Sequence, residues 1–239
     1  MARHAVRPRS EATWGVPTSL EGHTEGFRRW TAVDESAGAV HTGFGIAEFD
    51  PGGRLDWHVH SYEESLYVIE GEITLFTSET AVLLRTGDYG LLPVGQAHAL
   101  ANNVSDIARV AALSAPQPRP AHGGDTYFVA GLPELEPDTV DARDPRTRAF
   151  GHIDPGHMDP AKQSQELLAA SASMRTALLV YSGITVKMMI DSDLGAQLST
   201  MFMVRSSRPE VATKLLSLAQ RDNTMPTMTR CSRWIHRGF

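Results

Sequence analysis

The chain has 239 residues and a net charge of −6, with 41% hydrophobic and 21% charged residues. These values are typical of a globular protein with one large or two small domains, and they exclude a fibrous or mainly disordered chain. No apolar run approaches the roughly 18 residues of a membrane helix, and no apolar stretch after the first arginines indicates a secretory signal. Because the single Cys231 cannot form an intrachain disulfide, we expect a cytoplasmic protein with no membrane partner.

The region from Thr42 to Ala115 predicts an all-β fold. Runs of apolar and β-branched residues alternate there with turn formers such as Asp50-Pro51-Gly52-Gly53 and Thr86-Gly87-Asp88. Many short strands at near-regular spacing are typical of a β-sandwich or β-barrel, and not of alternating strands and helices. The predicted strands are 43–49, 54–60, 64–70, 72–78, 80–86, 89–92, 97–102 and 108–114.

The composition changes after this strand region. Residues 116–145 contain six of the 14 prolines, which opposes regular structure and predicts a linker over 116–150. A helix is predicted next, with Asp159 as N-cap, Pro160 in the first turn and 163–172 as its body. The strands predicted to follow are 177–182, 184–190 and 197–204.

A short motif occurs twice in the chain, 157 residues apart. Internal repeats indicate that one structural unit is used more than once. We therefore expect the late strands to begin a second copy of the first β region. The pattern Gly26…Val33-Asp34-x-x-x-Gly38-Ala39 recurs as Gly183…Ile190-Asp191-x-x-x-Gly195-Ala196, and Phe44-Gly45-Ile46 corresponds to Met201-Phe202-Met203.

Three histidines and one glutamate form an ordered pattern in the first β region. His58 and His60 lie two residues apart on a predicted strand, so both imidazoles leave the same face. A turn after His60 lets Glu64 return to that face, and His98 can join them only if the sheet curls into a barrel. The full pattern is Gly52-x5-His58-x-His60-x3-Glu64-x6-Gly71, followed by Gly87-x5-Pro93-x-Gly95-x2-His98-x3-Asn102.

The residue types in this pattern predict a metal site. Three neutral imidazoles and one carboxylate suit a divalent transition metal (Mn, Fe, Co, Ni, Cu or Zn) better than calcium or magnesium. The predicted ligands are His58, His60, Glu64 and His98. The alternative is a metal-free barrel in which the same four groups only form hydrogen bonds.

Both halves of the pattern match the two-part signature of the cupin superfamily at every fixed position, and residues 43–114 resemble that superfamily. The resemblance implies an all-β, double-stranded β-helix (jelly-roll-like) barrel, here with a partial second β region. It also implies one metal bound by the four predicted ligands, with open positions for water, oxygen or substrate. It does not fix the reaction, since cupins include dioxygenases, decarboxylases, isomerases, hydrolases and non-enzymatic binders.

The layout also resembles a bicupin, which has two such barrels in one chain, but the second half lacks the metal pattern. At the shift of 157 residues, the positions of His58, His60 and Glu64 correspond to Leu215, Ser217 and Arg221. We therefore expect the second barrel to stop near Val204. Truncation, frameshift or recombination are hypotheses for this ending.

An atypical basic tail is predicted after that point. Residues 205–239 carry seven Lys or Arg against two Asp or Glu, with one amphipathic helix over 209–219. The tail lacks the basic clusters and interleaved aromatic residues of nucleic-acid modules, so we expect no nucleic-acid partner.

The strands of an incomplete barrel leave unpaired edges that must dock on the first barrel or on another chain. We therefore expect a homo-oligomer.

Several other residues are expected to have structural roles only. Asn102 is expected to stabilise a strand or turn, Leu66 and Val68 to face the pocket or core with Glu64, and Tyr67 to face away. Arg54, Asp56 and Trp57 are placed near the mouth as solvated or packed residues, and His41, His122, His152, His157 and His236 are treated as ordinary polar residues.

The sequence predicts five segments. They are an N-terminal arm (1–25), the metal-binding barrel (26–115), the linker (116–150), a helix with the start of a second barrel (151–204) and the basic tail (205–239).

The pattern favours a metal-dependent enzyme that acts on a small polar organic molecule. Three histidines and one glutamate resemble quercetinase-like cupin dioxygenases, whereas the two-part layout resembles ureidoglycine aminohydrolases, so a dioxygenase is slightly favoured over a hydrolase. Asp56 and Glu63 are candidates for a general acid or base by proximity alone. The alternatives are a non-catalytic module that binds a small ligand or metal, and a truncated bicupin.

Overall fold

A long strand, β2, organises the fold. The computed structural model describes residues 8–132, 135–141, 147, 149–153, 178–181, 184–206 and 234–235. The strands are β1 (Thr24–Val33), β2 (Gly43–His60), β3 (Glu63–Glu70), β4 (Glu72–Thr77), β5 (Ala81–Arg85), β6 (Asp88–Leu92), β7 (His98–Ala101), β8 (Ala108–Ala115), β9 (Thr126–Phe128), β10 (Pro137–Thr139), β11 (Phe150–His152), β12 (Leu178–Tyr181), β13 (Ile184–Ile190), β14 (Met201–Ser206) and β15 (Trp234–Ile235). Short 3-10 turns cover Arg9–Glu11, Thr18–Leu20, Glu35–Ala37, Pro120–Asp125 and Ser192–Leu194.

The first eleven strands form one curled sheet. Its order is β10-β5-β4-β7-β2-β8-β3-β6-β11, and β1 and β9 also pair with β2. The first half of β2 pairs with β8, whereas the second half pairs with β7 and β9. Because one strand changes partners along its length, the sheet bends around a common interior. The predicted all-β, jelly-roll-like barrel is confirmed.

The interior of the barrel holds the main apolar core. Successive side chains of a strand point to opposite faces of the sheet, and the inward ones of β2, β3, β4, β5 and β8 meet in this core. Phe49, Leu66, Val68, Ile73 and Leu75 are nearly or fully buried there. The predicted inward positions of Leu66 and Val68 are confirmed, and Tyr67 between them packs on the outer side against other apolar residues.

The segment Asp50–Gly53, predicted as a turn between two strands, is an irregularity inside the single strand β2. Gly52 adopts a left-handed φ of 75° there. Asn102 closes the irregularity: its side-chain amide donates to the carbonyls of Phe49, Asp50 and Asp106, and its own oxygen accepts from Val104. The expected stabilising role of Asn102 is therefore confirmed.

Replacing Asn102 with Ala should lower the free energy of unfolding by about 1–3 kcal/mol, because buried carbonyl groups lose their donors. Asn103→Ala is the matched control, since Asn103 is exposed beside it. Urea denaturation of both variants measures the difference. Equal midpoints for the two variants would contradict the assigned role of Asn102.

The sequence analysis missed β15 in the second sheet and four strands of the barrel sheet, which are β1, β9, β10 and β11. Three of them lie at or beyond the predicted linker, yet β9 pairs with β2, β10 with β5 and β11 with β6. These strands are short, so most of the prolines lie between them and remove no hydrogen bond from the sheet. Pro137 is the first residue of β10, a position at which proline is tolerated. The proline-rich stretch therefore extends the barrel sheet instead of remaining irregular throughout.

The internal repeat extends to the register of strand pairing. Asp34 and Asp191 each cap a 3-10 turn by accepting the amide of the residue two positions later, and Gly38 and Gly195 end these turns with φ of 75° and 99°. Both hairpins carry an irregularity at the same place. The pairs Phe27↔Phe49, Arg29↔Ala47, Trp30↔Ile46 and Val33↔Phe44 recur as Ile184↔Ser206, Val186↔Val204, Lys187↔Met203 and Ile190↔Met201.

The repeated hairpin belongs to a second sheet of order β12-β13-β14-β15. Within the described ranges this sheet has four strands, so a second complete barrel is not seen there. Ile190 and Ala196 pack with Tyr89 and Leu91 on the outside of the first barrel, and Met201 packs beside Phe44. The second sheet therefore docks on the first barrel, and the expectation of a homo-oligomer stays a prediction.

A buried carboxylate fixes this docking. Glu63 is 2% exposed, and its side chain accepts hydrogen bonds from the amides of Gln197 at 2.8 Å and Ser199 at 2.9 Å, and from the Ser199 hydroxyl. Ser65, two residues along β3, bonds Ser199 at 3.1 Å. Strand alternation thus turns Glu63 outward, toward the second sheet, while Glu64 points into the barrel.

Two predicted helices, over 163–172 and 209–219, lie outside the described residues. In the part of the chain that the structure describes, no helix is long and apolar enough to cross a membrane.

Candidate metal centre

Three strands bring the four predicted ligands together. His58 and His60 lie on the same face of β2, and His98 begins β7 directly opposite His58 in the register. Glu64 enters from β3, after the short turn that follows β2. All four side chains are buried, with His60 at 2% and His98 at 0% exposed.

The four groups are close enough to share one ion. One ring nitrogen each of His58, His60 and His98 lies within 4.8 Å of the other two. The Glu64 carboxylate lies beside this triad, with Oε2 at 3.2 Å from His60 Nε2 and 3.7 Å from His98 Nε2. The cluster predicted from sequence is therefore assembled in the fold.

Main-chain carbonyls orient all three imidazoles. Each ring bonds through Nδ1, with His58 to Asp56 O at 2.8 Å, His60 to Tyr62 O at 2.6 Å and His98 to Gln96 O at 2.9 Å. A carbonyl oxygen can only accept, so each Nδ1 carries the proton. In the neutral ring this leaves the Nε2 lone pair free, which is the usual arrangement of histidines that bind metals.

The inner atoms of the cluster fit a cation. With Nδ1 protonated, a neutral His60 or His98 turns an Nε2 lone pair toward the Glu64 carboxylate, so acceptors face acceptors. His98 Nε2 is buried and has no hydrogen-bond partner among the described residues. A divalent transition metal satisfies these atoms together, and three nitrogens with one oxygen suit such an ion.

Burial shifts the protonation of this cluster. Burial and the facing His98 ring lower the pKa of His58 to about 3. Burial alone would raise the pKa of Glu64, but the attraction of the facing His60 and His98 rings, when they are protonated, outweighs it and lowers that pKa well below its usual value. Near neutral pH the site therefore presents a neutral His58 and an ionised Glu64, the forms that bind metals.

The metal-free protein should lose stability as the pH falls from about 6.5 toward 3. In that range the unfolded chain protonates His58 and the folded chain does not, so the slope reaches at most about 1.4 kcal/mol per pH unit. Glu64 adds a loss of the same sign below its unfolded pKa. Urea denaturation at several pH values should show a flatter profile for His58→Gln, and identical wild-type and variant profiles would contradict the lowered pKa.

A narrow cavity adjoins the cluster inside the barrel. Its apolar wall includes Phe27, Phe49 and Leu66, and its polar lining comes from His58, Glu64, Tyr62 and Arg29. The sequence analysis missed Arg29, Tyr62 and Phe27 as lining residues. The sequence offered one signal for β1, the apolar Phe27 on a strand that precedes the histidine motif.

A second element that the sequence analysis missed, β9, covers the cluster of predicted ligands. Phe128 on β9 stacks on His23 with ring centroids 3.5 Å apart, and its ring lies 5.8 Å from that of His58. Thr126 bonds the Tyr62 hydroxyl at 3.3 Å. The run Thr-Tyr-Phe after two glycines was a weak strand signal, too short to separate from a loop.

The residues predicted at the mouth lie outside the cavity. Arg54 pairs with Glu25 and Asp56 on the surface, and Asp56 also lies 3.6 Å from His23. Trp57 packs against Phe76 in an outer apolar cluster. Neither Asp56 nor Glu63, the two suggested acid–base groups, lines the cavity. Glu63 alternates with the inward Glu64, and an irregularity of β2 between Leu55 and His58 takes Asp56 out of phase with His58.

Comparison with known proteins agrees with this geometry. Residues 45–114 match the family model described as the cupin domain. This region is a cupin domain. The match contains His58, His60, Glu64 and His98, whereas β1 and β9 of the cupin sheet lie outside it.

Several solved structures are similar to the cupin domain and its surroundings. A polyketide cyclase from Streptomyces resistomycificus is 18% identical, with 48% of this chain and 80% of that chain covered and a TM-score of 0.44. A cupin-like protein from Thermotoga maritima is 22% identical, with 52% and 88% covered and a TM-score of 0.41. A predicted oxalate decarboxylase from the same organism is 20% identical, with 47% and 99% covered and a TM-score of 0.42. Among curated proteins no significant match was found.

Proposed function

We propose that the chain is a metal-dependent enzyme that binds a divalent transition metal and a small polar organic substrate inside the cupin barrel. The observation that carries this proposal is the orientation of the three imidazoles. Each donates Nδ1–H to a main-chain carbonyl, and one nitrogen of each ring lies within 4.8 Å of the other two. Mn, Fe, Co, Ni, Cu and Zn all accept this ligand set.

The residues of the site have separable roles. His58, His60, Glu64 and His98 would hold the ion, which supplies Lewis-acid or oxygen-activating chemistry when bound. The apolar wall, including Phe49 and Leu66, excludes bulk water and strengthens electrostatic interactions with a bound substrate. Phe128 covers the cluster from the side of β9.

A non-catalytic binding module is the second candidate, and one observation favours it. Apart from the predicted ligands, the polar groups that line the cavity within the described ranges are Arg29 and Tyr62. Burial raises the pKa of Tyr62 to about 12, so its hydroxyl stays protonated near neutral pH. A general base other than a metal-bound group is therefore missing from that lining.

Turnover assays separate the two candidates. Metal-reconstituted wild type and His60→Ala are incubated with small hydroxy, keto and amino acids, and oxygen uptake and ammonia release are recorded. Oxygen uptake that requires His60 supports a dioxygenase, and ammonia release that requires His60 supports an aminohydrolase. Saturable binding without turnover of any compound supports the binding module and contradicts the enzyme.

A further inference from the structure

One arginine faces the cavity from β1. Arg29 is in phase with Phe27, so both side chains turn toward the barrel interior, where both line the cavity. The neighbouring Arg28 turns outward and pairs with Glu48 at 2.7 Å and Asp50 at 3.0 Å. The two adjacent arginines therefore have opposite environments.

Among the described residues no carboxylate pairs with Arg29, whereas three other arginines have such a partner. Arg28, Arg109 and Arg119 each lie against an Asp or Glu side chain. Arg29 Nε is buried without a hydrogen-bond partner among the described residues. Burying a guanidinium nitrogen without a hydrogen-bond acceptor is costly, so an anion that reaches the half-buried Arg29 side chain would make this position more favourable.

The neighbouring strand β2 leaves room for this side chain. A Cβ atom at Gly45 would lie 2.7 Å from Arg29 Nε and 3.3 Å from Nη2.

We propose that Arg29 binds the carboxylate of the ligand, and that the ligand is a small carboxylic acid. This inference rests on the proposed function, because it uses the same cavity. A planar guanidinium binds a carboxylate through two parallel hydrogen bonds. With a divalent ion held by neutral imidazoles and Glu64, the ion and Arg29 together leave the cavity lining positive, which favours an anion.

The size of the cavity limits the acid. The cavity volume is about 30 Å³, room for two or three water molecules at roughly 10–15 Å³ each. Among carboxylic acids, the smallest, such as acetate, therefore come nearest to fitting this space.

The test compares acetate with its neutral analogue acetamide on the zinc-loaded protein, by ligand-observed NMR titration. Acetate should bind at least about 10-fold more tightly than acetamide, and Arg29→Gln should weaken acetate binding by about 10-fold to 100-fold. The zinc content and the acetamide affinity should stay unchanged. Arg85→Gln is the matched control, because it removes an exposed guanidinium paired with Glu72.

A conservative variant guards against misfolding. Arg29→Lys should retain part of the preference for acetate. Equal affinities for acetate and acetamide, or an unchanged acetate affinity in Arg29→Gln, would overturn the inference. If wild type binds no zinc, the metal proposal fails separately, and the same comparison on the metal-free protein decides the role of Arg29.

Discussion

Replacing Glu63 with Ala should lower the free energy of unfolding by about 2–4 kcal/mol, since hydrogen bonds to a charged group contribute about 1.5–3 kcal/mol each and buried donors are left unpaired. The Glu63 carboxylate accepts the amides of Gln197 and Ser199 and the Ser199 hydroxyl. These are the contacts that join the second sheet to the outside of the barrel. Urea denaturation measures the loss.

Hydrogen exchange locates the effect of this substitution. The amides of Gln197 and Ser199 should exchange faster in Glu63→Ala, while the amides of β3 and β8 keep their protection. Glu79→Ala is the control, because Glu79 is an exposed glutamate in a turn. The account would be contradicted if Glu63→Ala were as stable as Glu79→Ala and the amides of 197–199 exchanged hydrogen at the wild-type rate. The Glu63 carboxylate would then not hold the second sheet.

Replacing His98 with Ala should weaken metal binding by at least about 100-fold, since losing even an outer-shell partner of a metal ligand costs 10-fold to 100-fold. His98 is fully buried, and its Nε2 has no hydrogen-bond partner in the described ranges. A 100-fold weaker affinity removes about 2.7 kcal/mol of metal-dependent stabilisation when the ion is in excess. Calorimetric titration with Zn²⁺ and thermal denaturation with and without the ion measure both effects.

A histidine outside the cluster provides the comparison for His98→Ala. His41 is exposed before the start of β2, so His41→Ala should bind the ion as wild type does. Equal affinities of His98→Ala and His41→Ala for Zn²⁺ would exclude His98 as a ligand.

Most strands of the barrel and three of the four predicted ligands could be predicted, because local spacing determines them. Residues two apart on a strand share a face, which places His58 beside His60, and the turn after β2 returns Glu64 to that face. The position of His98 depended on the sheet curling, which the resemblance to cupins supplied. The structure brings these four residues together, and metal binding by them stays a prediction.

Other features depend on partners that are distant in sequence. Nothing in the pair Arg28-Arg29 shows which guanidinium faces inward; the pairing of β1 with β2 decides it. Glu63 lies beside Glu64 and was considered for acid–base chemistry, but its role depends on a loop more than 130 residues later. Short strands such as β9 are stabilised by the barrel edge they join, so their own sequence signal is weak.

Elemental analysis of the purified wild-type protein tests the central claim most directly. We predict about one divalent transition-metal ion per chain, as purified or after dialysis against Mn²⁺, Fe²⁺, Ni²⁺, Cu²⁺ or Zn²⁺ in turn, because three imidazoles and a carboxylate form one site. His60→Ala should lose this ion, and His41→Ala should retain it. The account would be contradicted if the wild-type protein held no transition-metal ion after dialysis against any of these five ions. It would also be contradicted if His60→Ala retained as much metal as the wild type.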